Sequence, residues 1–110
     1  MVVLSDYAKG FLTKDLTQAL IREAHAAGKE VLVDPRPQHA DYYGGCDYIT
    51  PNWKESQGLL GQTESDPTEG LILQNGMALR DRLRTHVILT LGSRGITFFD
   101  REAGTHFNLP

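Results

Sequence analysis

Four short apolar runs in this 110-residue sequence each end in side chains that can do chemistry. "VVLS" runs into Asp6 and then Lys9 and Gly10. "VLV" runs into Asp34, Pro35 and Arg36. "YI" runs into Thr50, Pro51 and Asn52, with Glu55 a helical turn beyond, and "VIL" runs into Thr90, Gly92, Ser93, Arg94 and Gly95. Carboxylates, cations, hydroxyls and glycines in this mixture suit phosphoryl transfer. Cations and backbone amides neutralise phosphate oxygens, carboxylates hold a water-clad magnesium ion, and glycine lets the backbone approach a nucleotide. Each group also has a plainer reading. Asn52 with Glu55 spells a capping box, in which two side chains satisfy the first orphan amides of a helix. Asp6 and Asp34 could be caps or turn formers, Lys9 and Arg36 solvated loop charges, and the glycines around Ser93 and Arg94 the makings of a hairpin turn.

What tips the balance toward function is the set of elements that must carry these residues. "VVLS" reads as a strand. Thr13 is an N-cap for a helix in which Leu16, Ala19, Leu20, Ala24 and Ala27 recur at helical spacing, and Gly28 takes the C′ position. "VLVDP" is a second buried strand, so the two form a parallel β-α-β unit. Residues 36–46 lack periodicity and read as loop, with one helical turn at 41–43. "DYIT" is a third strand, followed by a helix over 53–60 that Gly61 stops. A further helix, with Asp66 as cap, Pro67 at its first position and Glu69 at N3, runs to Leu83, with Ile72, Leu79 and Leu83 inward. Its glycines, Gly70 and Gly76, cost about 1 kcal/mol each relative to alanine. "HVILTLG" is the clearest strand; "GSRG" turns the chain into "GITFFD", and a second turn leads to "THFNLP". The expected fold is α/β: a parallel sheet flanked by helices, ending in a β-meander. In open α/β sheets ligands gather beyond the carboxyl ends of the strands, which is where all four groups fall.

Composition narrows the function classes. Hydrophobic content of 40%, charged content of 23% and five prolines describe an ordinary globular sequence of about one domain. A net charge of −3 without a dense Lys/Arg run argues against a nucleic-acid groove binder. Cys46 is the only cysteine, which excludes an internal disulfide and any multi-cysteine zinc motif and makes a reducing cytoplasm the expected compartment. His25, His39, His86 and His106 are scattered without metal-ligand spacing and read as surface or boundary residues. No stretch approaches the roughly 20 apolar residues that span a bilayer, so no membrane partner is expected.

"VVLSDYAKGFLT", "AGKEVLVDPRP", "YYGGCDYITPNWKE" and "VILTLGSRGITFFD" resemble, in order and spacing, the central part of the ribokinase-like (PfkB) carbohydrate kinases. The likeness is strongest to the heptose-7-phosphate kinase domain of ADP-heptose synthesis. "SDYAKG" with "DPRP" is the more subfamily-specific signal; N-x-x-E and T-x-G-x-x-G belong to the wider family. The resemblance implies ATP and Mg2+ as cofactors and a sugar phosphate as substrate. It places residues 52–55 (Asn52, Trp53, Lys54, Glu55) and Thr90, Gly92 and Gly95 at the nucleotide, with Asn52 on ATP phosphates and Glu55 ordering magnesium through water. Lys9 and Asp34 match positions near the transfer centre, on the substrate-phosphate side. Arg36 stands where relatives usually carry Lys, which keeps the charge and changes the donor geometry. The family's G-A-G-D motif, whose Asp is the general base and whose amides form the anion hole, is not among these residues. No catalytic residue is therefore assigned here; the catalytic Asp is expected beyond Pro110.

The expectation is an internal segment, 1–110, of a longer sugar kinase, inactive alone. Opening and closing on strands leaves the sheet without cover on its flanks, although parallel sheets are normally covered on both faces. Two alternatives stay open: a non-catalytic nucleotide-binding or interaction module, including a homodimer that covers its own edges, and a kinase for another sugar.

Overall fold

The computed structural model describes residues 1–6, 12–102 and 104–110. One six-stranded sheet has the order β1-β2-β3-β4-β5-β6, following the chain. The strands are β1 (Val2–Ser5), β2 (Val31–Asp34), β3 (Tyr48–Ile49), β4 (His86–Thr90), β5 (Ile96–Phe99) and β6 (His106–Leu109). The first four are parallel; β5 and β6 return antiparallel, giving the expected meander. The sheet is therefore mixed, and its parallel part carries the described members of the four candidate groups.

Helix α1 (Lys14–Ala26) begins where Thr13 accepts a hydrogen bond from the Leu16 amide at 3.1 Å, and ends before Gly28 at φ +72°. Its buried stripe is Thr17, Ile21 and Ala24, whereas Leu16 is 43% exposed. The expected stripe was thus rotated: Thr17 is admitted to the interior because its hydroxyl donates back to the Thr13 carbonyl at 2.7 Å. The connection from β2 to β3 is a 3-10 helix over Pro37–Tyr42, interrupted at His39, where a looser loop was expected. Helix α2 (Trp53–Leu59) and helix α3 (Glu69–Leu83) then lead to β4. The cap of α3 is Thr68, whose hydroxyl accepts from the Leu71 amide at 3.2 Å. Asp66 and Pro67 lie outside the helix, and the Pro67 carbonyl accepts from Arg94 at 2.7 Å.

Crossovers of one hand that always advance in one direction place their helices on one face of a sheet. Burial follows that rule. Across the strands Leu4, Val33, Ile49, Val87 and Phe99 share one register row, and the last four are fully buried beneath the helices with Val31 and Leu89. Ile72, Leu79 and Leu83 of α3 join them, as the sequence predicts. Gly76 is required at that contact, because a Cβ there would come within 2.0 Å of the Phe99 ring. The opposite face carries a row of stacked rings, Tyr48 on His86 at 5.0 Å, His86 on Phe98 at 5.6 Å and Phe98 on Phe107 at 5.2 Å. Val3 and Phe107 on this side are more than half exposed.

Candidate functional site

The ends of β3 and β4 bring the two halves of the nucleotide candidate together. After β3, Thr50 still pairs through its amide with the Val33 carbonyl at 3.1 Å, and the chain then passes through buried Pro51 to Asn52. The Thr90 amide donates to the Pro51 carbonyl at 3.0 Å, and Asn52 and Thr90 form an isolated parallel bridge beyond the strands proper. These residues, 38 apart in sequence (90 − 52), are neighbours because β3 and β4 are.

Asn52 and Glu55 make the complete capping box of α2: Asn52 Oδ1 accepts from the Glu55 amide at 2.7 Å, and Glu55 Oε1 accepts from the Asn52 amide at 2.9 Å. The plain reading of this pair is therefore true of the structure. It leaves Asn52 Nδ2 and Glu55 Oε2 outside the box, on an exposed residue and a half-buried one. Local chemistry consumes one atom of each side chain and presents the other.

Beyond Thr90 the chain makes one 3-10 turn, Gly92–Arg94, closed by Leu91 amide to Gly95 carbonyl at 2.8 Å. Gly92 adopts φ +59° with open space where a Cβ would stand, so the turn offers bare backbone at the rim. Gly95, at φ +86°, has a packing reason as well: a Cβ there would lie 2.1 Å from the Leu109 carbonyl and 2.7 Å from Pro110 Cα.

Trp53 and Lys54 are turned to the α2–α3 connection. Trp53 Nε1 donates to the Ser65 carbonyl at 2.6 Å, and Lys54 pairs with Glu64 at 3.5 Å with both side chains exposed. They border a shallow cavity of about 330 Å³ with Gln57 and Asp66. Asp34 closes β2, in register with Ser5, and its carbonyl accepts from the Asp6 amide at 3.0 Å. Lys9 lies outside the described residues.

Sequence reasoning did not find the cluster at the neighbouring strand ends. The buried Asp6 carboxylate accepts from Tyr43 Oη, and its Oδ2 lies 2.7 Å from His39 Nδ1. Tyr43, fully buried, also accepts from the Arg36 amide at 2.9 Å. Burial first, and the bond to Asp6 second, push the Tyr43 phenol above its ordinary range, so it stays a donor. His39 stacks on Tyr42 with ring centroids 4.1 Å apart, and its side chain is only 17% exposed. His86 is similarly enclosed at 14%. These two histidines are half-buried residues with partners, at the boundary as the sequence reading allowed. The available signal was an acid directly after β1 and an aromatic pair in the loop after β2; nothing in the spacing says that they meet.

A second cluster joins the opposite ends of the strands. Asp47 accepts from the Val31 amide at 2.7 Å, meets His25 Nε2 at 2.8 Å and lies 3.6 Å from Arg101. Burial opposes its ionisation, but the Val31 amide, His25 and Arg101 together outweigh burial and hold the carboxyl below its ordinary range. Next to it, burial pushes the Cys46 thiol up to about 11. A cavity of about 510 Å³ lies between α3 and β5–β6 and reaches the glycine turn through Leu91 and Arg94; Ile72, Phe99 and Pro110 form part of its wall. Among the described residues no group of three or more His, Cys, Asp or Glu converges to hold a metal ion. Among the same residues, no helix is long and apolar enough to cross a membrane.

Comparison with known proteins identifies the family and the fold. The profile of the pfkB family carbohydrate kinases matches residues 1–110. The chain is 40% identical over 103 residues to the bifunctional protein HldE of Campylobacter jejuni subsp. doylei, covering 92% of this chain and 22% of that protein. Among solved structures it is similar to phosphofructokinase-2 from Escherichia coli in complex with fructose-6-phosphate, with a TM-score of 0.75 at 16% identity, over 97% of this chain and 36% of that one. It is also similar to Arabidopsis thaliana ribokinase complexed with ribose and ATP, with a TM-score of 0.74 at 22% identity, over 98% of this chain and 34% of that one. At these identities the structural likeness establishes the ribokinase-like fold. The chain spans about a fifth of the curated relative and about a third of the solved kinases.

Proposed function

The chain belongs to the pfkB family of carbohydrate kinases, a family that uses ATP and a sugar, and from that premise we propose that it is the nucleotide-facing segment of a longer kinase acting on a heptose 7-phosphate. The observation that carries the reading is the bridge between Asn52 and Thr90, which sets the capping box beside the bare backbone of the Gly92 turn. This donor set fits a polyphosphate with its metal. Asn52 Nδ2, the Thr90 hydroxyl and the turn are neutral donors for phosphate oxygens, and Glu55 Oε2 is a carboxylate oxygen suited to a magnesium-bound water. Among the described residues no group of three or more His, Cys, Asp or Glu converges, which suits an ion that arrives with its nucleotide.

ATP with magnesium supplies the transferable phosphoryl group. The chain's own residues bind and orient. Asn52 and Glu55 are held in one geometry by their mutual capping bonds, so little side-chain freedom is lost on binding. Asp34 and Arg36, at the end of β2, are assigned to the sugar-phosphate side; the heptose assignment follows the "SDYAKG" and "DPRP" words and the similarity to the bifunctional protein HldE. Trp53 and Lys54 are left with a structural part, fastening α2 to the following loop. The general base and anion hole of the family lie in a motif that residues 1–110 do not carry, so the chain alone binds without turning over. Titration with ATP tests this. Affinity in the micromolar-to-millimolar range that strengthens with magnesium, and no kinase activity, are expected; indifference to ATP at millimolar concentration refutes it.

A further inference from the structure

The cluster of Asp6, Tyr43 and His39 lies apart from Asn52 and Glu55, and it is enclosed: Asp6 and Tyr43 are buried and the His39 side chain nearly so. Its three residues come from the end of β1 and from the middle and the end of the 3-10 segment after β2, and they meet across sequence separations of 33 and 37 residues. Burying a carboxylate is costly unless its oxygens are hydrogen-bonded. Here Oδ2 takes both side-chain bonds. A bond of this kind holds a segment in place. What it holds is the segment that begins at Arg36, since Tyr43 Oη takes the Arg36 amide as well as giving its own proton to Asp6.

Resting on the kinase reading above, we infer that Asp6, Tyr43 and His39 are positioning residues that lock the Arg36 loop to the end of β1 and so fix where the Arg36 charge meets the anionic sugar substrate. The linkage runs from carboxylate to phenol to backbone amide, and only its last member reaches the rim. Tyr43 lies within electrostatic reach of the Arg36 guanidinium, whose charge opposes the rise of the phenol's pKa. The loop therefore carries its cation close to its anchor. His39 acts from the other side. Taking its Nδ1 proton to Asp6 sets the tautomer, and stacking on Tyr42 fixes the ring, so the 3-10 segment is held at its middle as well as at its end.

The experiment uses the 110-residue chain, with amide exchange followed by NMR and a heptose 7-phosphate as probe. In Tyr43→Phe the ring stays and the bridge goes. The Arg36 amide, protected in the parent chain, should exchange about tenfold faster, while the amides of Val33 and Val87 keep their protection. The chemical-shift response of Arg36 to the sugar phosphate should weaken several-fold in the same variant, and the response to ATP should not change. His39→Ala, which spares the buried ring, should weaken the sugar-phosphate response while leaving the Arg36 amide protected.

Unchanged Arg36 exchange in Tyr43→Phe overturns the anchor. A freed Arg36 amide with an undiminished sugar-phosphate response overturns the positioning role and leaves a purely structural cluster. Tyr43→Phe that does not fold passes the decision to His39→Ala, where an unaltered response overturns the inference. If the parent chain responds to ATP but nowhere to the sugar phosphate, the substrate side of the kinase reading fails, and the positioning role with it. Because amide exchange is read without ligand, that failure is distinguishable from a failure of the anchor.

Discussion

Substituting Glu55 by glutamine separates the capping that the N-x-x-E pair performs from the ligand role proposed for it. In the capping box Glu55 Oε1 accepts from the Asn52 amide at 2.9 Å, and a glutamine oxygen can accept the same bond. What the variant loses in the fold is the attraction of a carboxylate to the first turn of α2, about 0.3 to 1 kcal/mol. What it loses at the proposed site is the carboxylate charge that a magnesium-bound water would meet. A charge-assisted bond contributes about 1.5 kcal/mol or more, so the gain in ATP affinity produced by magnesium should fall about tenfold. Urea denaturation reads the first quantity; calorimetric titration with ATP, with and without magnesium, reads the second.

Asn52→Asp is the companion. Aspartate caps as well as asparagine, so stability should hold, but a carboxylate now faces phosphate, and ATP should weaken with or without magnesium. Asn52→Ala, by contrast, removes the acceptor for the Glu55 amide and should cost about 1 kcal/mol of stability. For a helix of seven residues, too short to persist alone, that loss should appear as fraying of α2. If Glu55→Gln preserves the magnesium effect and Asn52→Asp preserves ATP affinity, these residues cap a helix and do nothing else. The nucleotide site would then have to be sought at the glycine turn alone.

Three further outcomes follow from the packing. Gly76→Ala forces a methyl to within 2.0 Å of the Phe99 ring, and because both belong to the packed interface of α3 with β5, a loss of about 3 kcal/mol is expected in denaturant melts. Asp47 has a carboxyl depressed in the folded chain, so its stabilisation is complete above the ordinary value of 3.8 and is lost as pH falls through the lower folded value. Asp47→Asn should therefore lower stability at neutral pH and flatten the acid limb of the stability profile, measured by melting between pH 7 and about pH 2. Cys46, buried and with its thiol pushed up to about 11, should resist a thiol reagent at neutral pH in the native chain and react at once in denaturant; fast native labelling would show that the β3 end opens readily.

Features whose causes are local were legible in the sequence. Thr13, and Asn52 with Glu55, cap the helices they were read to cap, because a capping bond spans three residues and depends on little else. The parallel unit from β1 to β2 and the meander after β4 follow from apolar runs and turn residues in the same way. The start of α3 shows the limit of such signals. Asp66, Pro67 and Glu69 satisfy every local rule for a helix start, yet Thr68 is an equally good cap two residues on, and Arg94 draws the Pro67 carbonyl toward the turn between β4 and β5. The inward side of α1 was misjudged for a related reason: counting apolar residues favours Leu16, whereas the sheet accepts Thr17 because its hydroxyl already has a backbone partner. Least legible was the ordered segment after β2. Its 3-10 geometry is held by Asp6, far away in sequence, and no window of neighbouring residues contains that cause.

The nucleotide half of the candidate site combines both kinds of cause, which explains how two readings of one short motif can hold together. Strand β3 is only two residues long, so the chain leaves the sheet almost as soon as it has entered and begins α2 while still level with the end of β4. A longer β3 would carry Asn52 past Thr90, and a shorter one would leave the Pro51 carbonyl without the Thr90 amide that fixes the spacing. The capping box then holds both side chains at the one level where β4 turns through Gly92. Capping is thus the means by which Asn52 and Glu55 are held at the rim, and one atom of each stays outside the capping box. It follows that variants which keep the cap and change the presented atom are the ones that can report on binding. Variants that delete the side chain confound the rim with the helix.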